Sequence, residues 1–152
     1  MYPKLLNYFS RKDRTEKEVK QYLEKSNVGS NDIAFFISKL KAEKILNESR
    51  YVENFIYSKT KNLFWGSEKI ECALEELGVP TETIREEFQK YTRDFFLENL
   101  ISYIEKKKIQ KNNSIEILTL KKNLFTKGYK EDLIKEAFLR LEISDIYESS
   151  TD

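Results

Sequence analysis

Residues 23–33 read LEKSNVGSNDI, residues 74–84 read LEELGVPTETI, and residues 124–134 read LFTKGYKEDLI. Each stretch begins with Leu, has Asn or Gly four residues later, continues with an apolar residue, and ends with Ile. Asn and Gly tolerate the left-handed backbone conformation that follows the last turn of many helices. The pattern therefore predicts that one helix ends and the next begins at each of three break points, which are Asn27, Gly78 and Gly128.

The similarity between the three stretches continues on both sides of each break. An apolar residue stands four positions before each Leu and four positions after each Ile: Val19, Ile70 and Leu120 before, and Ile37, Phe88 and Phe138 after. Side chains four residues apart share one face of a helix. The leading Leu residues are 51 and 50 residues apart, and a period of about fifty residues is typical of stacked helical repeats.

No part of the sequence shows the alternation of apolar and polar residues that is typical of a half-buried β-strand, so we predict an all-α fold. Its architecture is expected to be three tandem three-helix repeats that form an elongated, curved stack. A repeat of this size would be marginally stable alone, so neighbouring repeats should share a core. The three repeats and a frayed C-terminal tail are placed, in chain order, at residues 1–46, 47–93, 94–143 and 144–152.

Further motifs mark helix boundaries inside the repeats. Thr15 and Glu18 have the spacing of a capping box, in which each side chain accepts a backbone N–H. Asn47 is placed to cap the N-terminus of a fourth helix, which we expect to fray over residues 59–62. Gly66 marks a break before a fifth helix begins.

The composition excludes several classes of function. The chain has no histidine and one cysteine, Cys72, so it lacks the commonest general base and the usual zinc ligands. It also lacks a glycine-rich phosphate-binding motif, and we expect no catalysis, no metal and no cofactor. No apolar run reaches the length of a membrane span, and the first residues do not form a signal peptide. These features predict a cytoplasmic protein, in which the Cys72 thiol is buried.

The net charge is only +1, but the charges are unevenly distributed. Residues 1–65 hold 13 basic and 8 acidic side chains, residues 66–105 hold 4 and 10, and residues 106–152 hold 10 and 8. Two basic regions therefore flank an acidic one. Ordinary solvated helix faces account for such a layout, and so does a long surface that meets an anionic partner at selected places.

Three segments carry a resemblance to a known family: RKDRTEKE at residues 11–18, ILNESRY at residues 45–51, and WGSEKIECALEELGV at residues 65–79. They resemble, in order, the basic capping segment, the acidic–Arg–aromatic segment and the Gly-led segment of the RecX family, regulators of the RecA recombinase. The resemblance covers nearly the whole chain. It implies an all-helical repeat protein, expected as a monomer, that lies along a RecA filament on single-stranded DNA. There it would inhibit recombination, ATP hydrolysis, filament growth and the coprotease activity of the SOS response.

The basic residues of these segments and of the connectors are the candidates for contact with the filament or its DNA: Arg11, Lys12, Arg14, Arg50, Lys59, Lys61, Lys69, Lys106, Lys107, Lys108 and Lys111. Structural roles remain open for several of them. Arg50 has the spacing to pair with Glu43 or Glu53, Trp65 suits packing between repeats, and the lysines after residue 105 suit a solvated loop.

Two other classes of function stay open at this point. One is a DNA-binding regulator that uses a tight helix turn as a helix-turn-helix, although Glu82, Glu86 and Glu87 would repel a major groove. The other is a helical-repeat scaffold that binds other peptides.

Overall fold

The structure, a computed structural model, describes residues 2–144, and over this range every regular element is an α-helix. The nine helices of residues 2–144 are α1 Tyr2–Phe9, α2 Glu16–Lys25, α3 Ser30–Ala42, α4 Glu48–Leu63, α5 Ser67–Glu76, α6 Thr81–Phe88, α7 Arg93–Lys107, α8 Ser114–Thr126 and α9 Glu131–Arg140. The all-α class is confirmed. The expected tail falls, apart from the exposed Ser144, outside the described residues.

All three predicted break points adopt the left-handed conformation, with φ of 62° at Asn27, 84° at Gly78 and 95° at Gly128. At each one, the next residue's N–H donates back to the carbonyl of the leading Leu. The three N···O distances are 3.0 Å for Val28 to Leu23, 3.1 Å for Val79 to Leu74, and 3.1 Å for Tyr129 to Leu124. This is the hydrogen bond of a Schellman stop, and α3, α6 and α9 begin two or three residues later.

The same stop also ends α3 and α9, where the sequence offers neither Gly nor Asn. Lys44 and Glu142 have φ of 60° and 58°, and each is followed by an Ile whose N–H donates to a helix carbonyl. Ile45 bonds to Leu40 at 3.0 Å, and Ile143 bonds to Phe138 at 2.9 Å. A buried apolar contact after the stop therefore outweighs the modest cost of a left-handed Lys or Glu.

The predicted helix caps are present. The Thr15 hydroxyl accepts from the Glu18 N–H at 3.1 Å, and the Glu18 carboxylate accepts from the Thr15 N–H at 3.5 Å, so the capping box is closed. Asn47 Oδ1 accepts from the Arg50 N–H at 3.0 Å and caps α4. Thr92 and Asn113 cap α7 and α8 in the same way.

The chain divides into two compact units. The first comprises Met1–Phe55 with Ala73–Lys90, and the second Ile56–Cys72 with Tyr91–Asp152, so α4 and α5 contribute to both. The main core cluster of the first unit lies around α1, α2 and α3 and consists of Leu5, Phe9, Val19, Leu23, Ile33, Ile37, Leu40 and Leu46. The core of the second unit includes Ile56, Ile70, Leu97, Leu100, Ile117, Leu124, Ile134 and Phe138. The proposed repeat boundaries stay a prediction.

Two local expectations are wrong. Helix α4 does not fray over residues 59–62 but continues to Leu63, because Thr60 on its inner side is fully buried. Cys72 is exposed and not buried. Ile70 and Leu74 occupy the buried face of α5, and a residue two positions from each of them faces the other way.

Candidate binding surface

The loop between α4 and α5 contains Phe64, Trp65 and Gly66 and is anchored by the break after α8. The Gly66 N–H donates to the Lys127 carbonyl at 2.7 Å, and the Glu68 N–H donates to the Gly128 carbonyl at 3.1 Å. The backbones approach so closely that a Cβ on Gly66 would lie 2.5 Å from the Gly128 carbonyl oxygen. Gly66, predicted as the break before α5, thus meets the break point at Gly128 within the second unit.

A buried polar network also fixes the backbone of this loop. Asn99 Nδ2 donates to the Thr60 carbonyl at 2.8 Å and to the Tyr129 hydroxyl at 3.3 Å. That hydroxyl donates in turn to the Phe64 carbonyl at 2.8 Å. Burial raises the pKa of the Tyr129 phenol to about 12, so the phenol keeps its proton and remains a donor at neutral pH. Phe64, with φ of 56°, is held in a left-handed conformation by these contacts.

The anchored loop presents two aromatic rings that are surrounded by lysines. Lys59 and Lys69 place their ammonium groups 5.2 Å and 4.5 Å from the centre of the Trp65 ring. Lys106 lies 4.7 Å from the ring of Phe64. Contacts of this kind hold a cation beside a ring face and are worth about 0.5–1 kcal/mol at exposed sites.

Tyr103 extends this arrangement, because its ring lies 5.3 Å from that of Phe64. Lys107 and Lys127 place their ammonium groups 5.1 Å and 5.3 Å from the Tyr103 ring. We call the whole set the lysine–aromatic cluster: Lys59, Phe64, Trp65, Lys69, Tyr103, Lys106, Lys107 and Lys127. It combines five cations with three rings in one unit. Because Tyr103 is only 8% exposed and Phe64 and Trp65 are half-buried, the cluster offers an anionic partner mainly its ammonium groups.

Four of the candidate lysines come together in this cluster, namely Lys59, Lys69, Lys106 and Lys107. The sequence analysis missed Lys127, which stands directly before Gly128, and no local signal distinguished it from other lysines. The remaining candidates of the second unit lie elsewhere. Lys61 sits 4.8 Å from the Phe95 ring, Lys108 ends α7 with φ of 51°, and Lys111 is exposed in the following connector.

The candidate arginines belong to the first unit and differ in environment. Arg11 and Lys12 are exposed. The Arg14 guanidinium stacks 4.3 Å from the Tyr8 ring, and its Nε is buried without a hydrogen-bond partner among the described residues. The planar guanidinium of Arg14 thus packs over the aromatic rings of α1, so Arg14 contributes apolar contact as well as charge.

Arg50 is part of a hydrogen-bonded junction. Its Nε donates to Asp13 Oδ1 at 2.8 Å, which raises the pKa of the guanidinium further, and its other nitrogens donate to the carbonyls of Lys44 at 3.1 Å and Ile45 at 3.2 Å. Asp13, a partner that the sequence did not indicate, also accepts from Asn54 Nδ2 at 3.2 Å. Arg50 therefore ties the α1–α2 loop and the left-handed stop after α3 to α4.

We expect Arg50→Met to lower the free energy of unfolding by about 1–2 kcal/mol, since it removes a charged pair and two bonds to carbonyls. The loss stays in this range because the arginine side chain is 41% exposed. Urea unfolding measures it, with the exposed Arg11→Met as the matched control, expected within about 0.5 kcal/mol of the parent. Equal stabilities for the two variants would show that the junction contributes nothing.

The described residues show neither a membrane-spanning helix nor a metal site. None of the helices within residues 2–144 is both long and apolar enough to cross a bilayer. Within the same range, no three Cys, Asp or Glu side chains form a group that could hold a metal ion. The described residues form an all-helical protein in which lysines surround partly buried aromatic rings. Comparison with known proteins narrows the class of protein further.

No family model matches the chain. Curated relatives are each named Regulatory protein RecX. That of Bacillus mycoides is 30% identical over 88% of this chain, that of Bacillus cereus 32% over 88%, and that of Streptococcus agalactiae 31% over 97%. The chain spans about half the length of these relatives, 51% for the two Bacillus proteins and 57% for the streptococcal one.

Solved structures share the fold. The crystal structure of RecX from Lactobacillus salivarius superposes with a TM-score of 0.83 at 24% identity, covering 94% of this chain and 95% of that one. A second crystal structure, of a regulatory protein RecX, gives a TM-score of 0.73 at 16% identity, over 88% of this chain and 68% of that one. The chain is thus similar to RecX proteins over most of its own length, in sequence to the curated relatives and in fold to the solved structures.

Proposed function

We propose that this chain is a non-enzymatic regulator that binds the RecA filament on single-stranded DNA and inhibits it. Inhibition would extend to strand exchange, ATP hydrolysis, filament growth and the SOS coprotease activity, and the protein would act as a cytoplasmic monomer. The observation that carries the proposal is the similarity to regulatory RecX proteins over 88–97% of the chain.

The lysine–aromatic cluster is the surface we assign to the filament. A filament of protein on single-stranded DNA offers both carboxylates and phosphates, and the five ammonium groups of the cluster match either. Each exposed charge contact contributes about 1 kcal/mol or less, so binding needs several contacts at once. The cluster supplies them from α4, α5, the end of α7 and the break after α8, around a loop that the buried Asn99 and Tyr129 hold in place.

The test is a titration of the purified protein into DNA-dependent ATP hydrolysis by the RecA of the same organism. Inhibition at less than one molecule of this protein per RecA supports the proposal. No inhibition, together with sequence-selective binding to duplex DNA, would instead favour a helix-turn-helix regulator. If the protein neither inhibits RecA nor binds DNA, the remaining candidate function is a scaffold that binds other peptides.

We expect Lys59→Glu combined with Lys69→Glu to raise the concentration needed for half-inhibition by at least about tenfold, since two attractive contacts become repulsive. The matched control reverses two exposed lysines of the first unit, Lys4→Glu with Lys20→Glu, and should inhibit within about twofold of the parent. Thermal melting of both double variants checks that each is folded. If both double variants inhibit equally well, the lysine–aromatic cluster is not part of the surface that contacts the filament.

A further inference from the structure

Helix α8 is apolar on two faces, and only one of them is covered. Its buried face consists of Ile117, Leu120 and Leu124, which are 1%, 4% and 0% exposed. On the other side, Ile115, Leu118 and Phe125 are 79%, 40% and 46% exposed. Their spacings of three and seven residues place them on a single stripe along the helix. A helix with apolar residues on both sides is normally covered on both.

A groove runs beside this stripe, between the end of α7 and the start of α8. Its volume is about 430 Å³, and its lining residues are Lys107, Lys108, Ile109, Ile115, Glu116, Thr119, Leu120 and Asn123. The apolar part is aliphatic and contains no aromatic ring, while Lys107 and Lys108 form a cationic rim. The groove thus pairs an aliphatic floor with positive charge at one side, in contrast to the lysine–aromatic cluster.

The charge around the groove is strongly one-sided. Lys107 and Lys108 line the groove and Lys122 is exposed on the adjoining helix face, whereas the one carboxylate in the lining is that of Glu116. Glu116 is already engaged, because its carboxylate accepts the Gln110 N–H at 2.7 Å. A ligand of this surface therefore needs negative charge together with branched or aliphatic side chains. Nucleic acid has the charge but no aliphatic groups to fill the groove, and the groove lining offers no ring on which its bases could stack.

We propose that the groove and the exposed stripe of α8 form a docking site for an acidic amphipathic helix of a partner protein. Aliphatic side chains of the partner, spaced three or four residues apart, enter the groove and lie along Leu118 and Phe125. Its carboxylates meet Lys107, Lys108 and Lys122, of which Lys122 lies between Leu118 and Phe125 on the same face. This is recognition of a helix in a groove, with charge complementarity deciding the partner.

The proposal does not rest on the proposed function: the two surfaces share Lys107, but peptide binding is measured without RecA. The probe is a fluorescein-labelled synthetic peptide of about 15 residues, with Leu at every third or fourth position and Glu at most others. Its binding to the full-length chain is followed by fluorescence anisotropy. We expect saturable binding with a Kd of about 100 μM or tighter, weakened by salt. A scrambled peptide of the same composition should bind at least about tenfold more weakly, since it has no apolar stripe.

Two variants with equally exposed side chains provide the decisive comparison. Ile115 in the groove and Leu139 on α9 are both 79% exposed, so changing either leaves the core intact. We expect Ile115→Glu to weaken peptide binding at least about tenfold and Leu139→Glu to change it by less than about twofold. Lys107→Glu with Lys108→Glu should weaken binding by a similar factor without touching the apolar stripe.

Several results would overturn the proposal. If the Ile115 and Leu139 variants bind the peptide equally well, the groove is not the docking site. The same follows if the chain binds the ordered and the scrambled peptide equally well. It also follows if the wild-type chain fails to bind the peptide. If Ile115→Glu instead dissociates a dimer seen by analytical ultracentrifugation, the occupant is a second copy of this chain. If it instead abolishes binding of a single-stranded oligonucleotide, the occupant is nucleic acid.

Discussion

Gly66→Ala is expected to lower the free energy of unfolding by roughly 3 kcal/mol or more, the largest effect among the four Gly→Ala changes that this chain allows. The new Cβ would stand 2.5 Å from both the carbonyl carbon and the oxygen of Gly128, and 2.7 Å from the Tyr129 nitrogen. All three atoms belong to backbone that is hydrogen-bonded on both sides, so it cannot move away cheaply. The hydrogen bonds from Gly66 and Glu68 would be stretched or lost.

Urea-induced unfolding followed by far-UV circular dichroism measures this effect, and Gly29→Ala is the matched control. A Cβ on Gly29 would meet only an Asp32 carboxylate oxygen at 4.0 Å, and its φ of −65° suits alanine. Its change in stability should stay within about 1 kcal/mol. A Gly66→Ala variant as stable as Gly29→Ala would mean that the α4–α5 loop does not lie against the break after α8.

Gly128→Ala is expected to lower the free energy of unfolding by about 3 kcal/mol, from two sources. The φ of 95° is unfavourable for any residue with a Cβ, and that Cβ would also stand 2.5 Å from the backbone nitrogen of Lys69. Strain from the conformation alone accounts for about 1–2 kcal/mol, so the contact with α5 supplies the remainder.

Gly78→Ala separates these two sources. Its φ of 84° carries a similar conformational strain, but its Cβ would meet side-chain atoms of Lys17, Cδ at 2.5 Å and Cβ at 3.1 Å, and not backbone. A change of the Lys17 rotamer relieves the closest of these contacts. We expect a loss of about 1–2 kcal/mol, clearly smaller than that at Gly128. Urea unfolding of both variants under one set of conditions tests the difference. If Gly78→Ala costs as much as Gly128→Ala, conformation alone governs both positions.

Local chemistry accounts for what could be predicted from the sequence. Asn27, Gly78 and Gly128 have the backbone tolerance that a left-handed stop requires, and Thr15 and Asn47 have the oxygen that an N-cap requires. Each of these roles depends on residues fewer than six positions away. The helical class and the break points follow from them, and the family resemblance rested on segments that contain the same motifs.

Contacts between distant parts of the chain could not be predicted. Arg50 meets Asp13 across 37 residues, and Lys127 reaches the carbonyl of Leu63 across 64, with no pattern in the sequence that links either pair. The left-handed Lys44 was also missed, because its conformation follows from the burial of Leu46 and the contacts of Ile45, not from its own preference. The lysine–aromatic cluster contains local pairs, such as Lys69 with Trp65, but it is assembled by distant contacts such as that between Phe64 and Tyr103.

The second unit is built from two separate stretches of the chain, and this affects the order in which the protein can fold during translation. Every part of the first unit has been synthesised once residue 90 has been added. Residues 56–72, by contrast, emerge long before their partners: the Gly66 N–H has no acceptor until Lys127 is made. On the ribosome, about sixty further residues must therefore be added before the Trp65 segment can make this contact, which takes about 3–12 seconds at about 5–20 residues per second. Its shape is thus among the last features of the nascent chain to be settled.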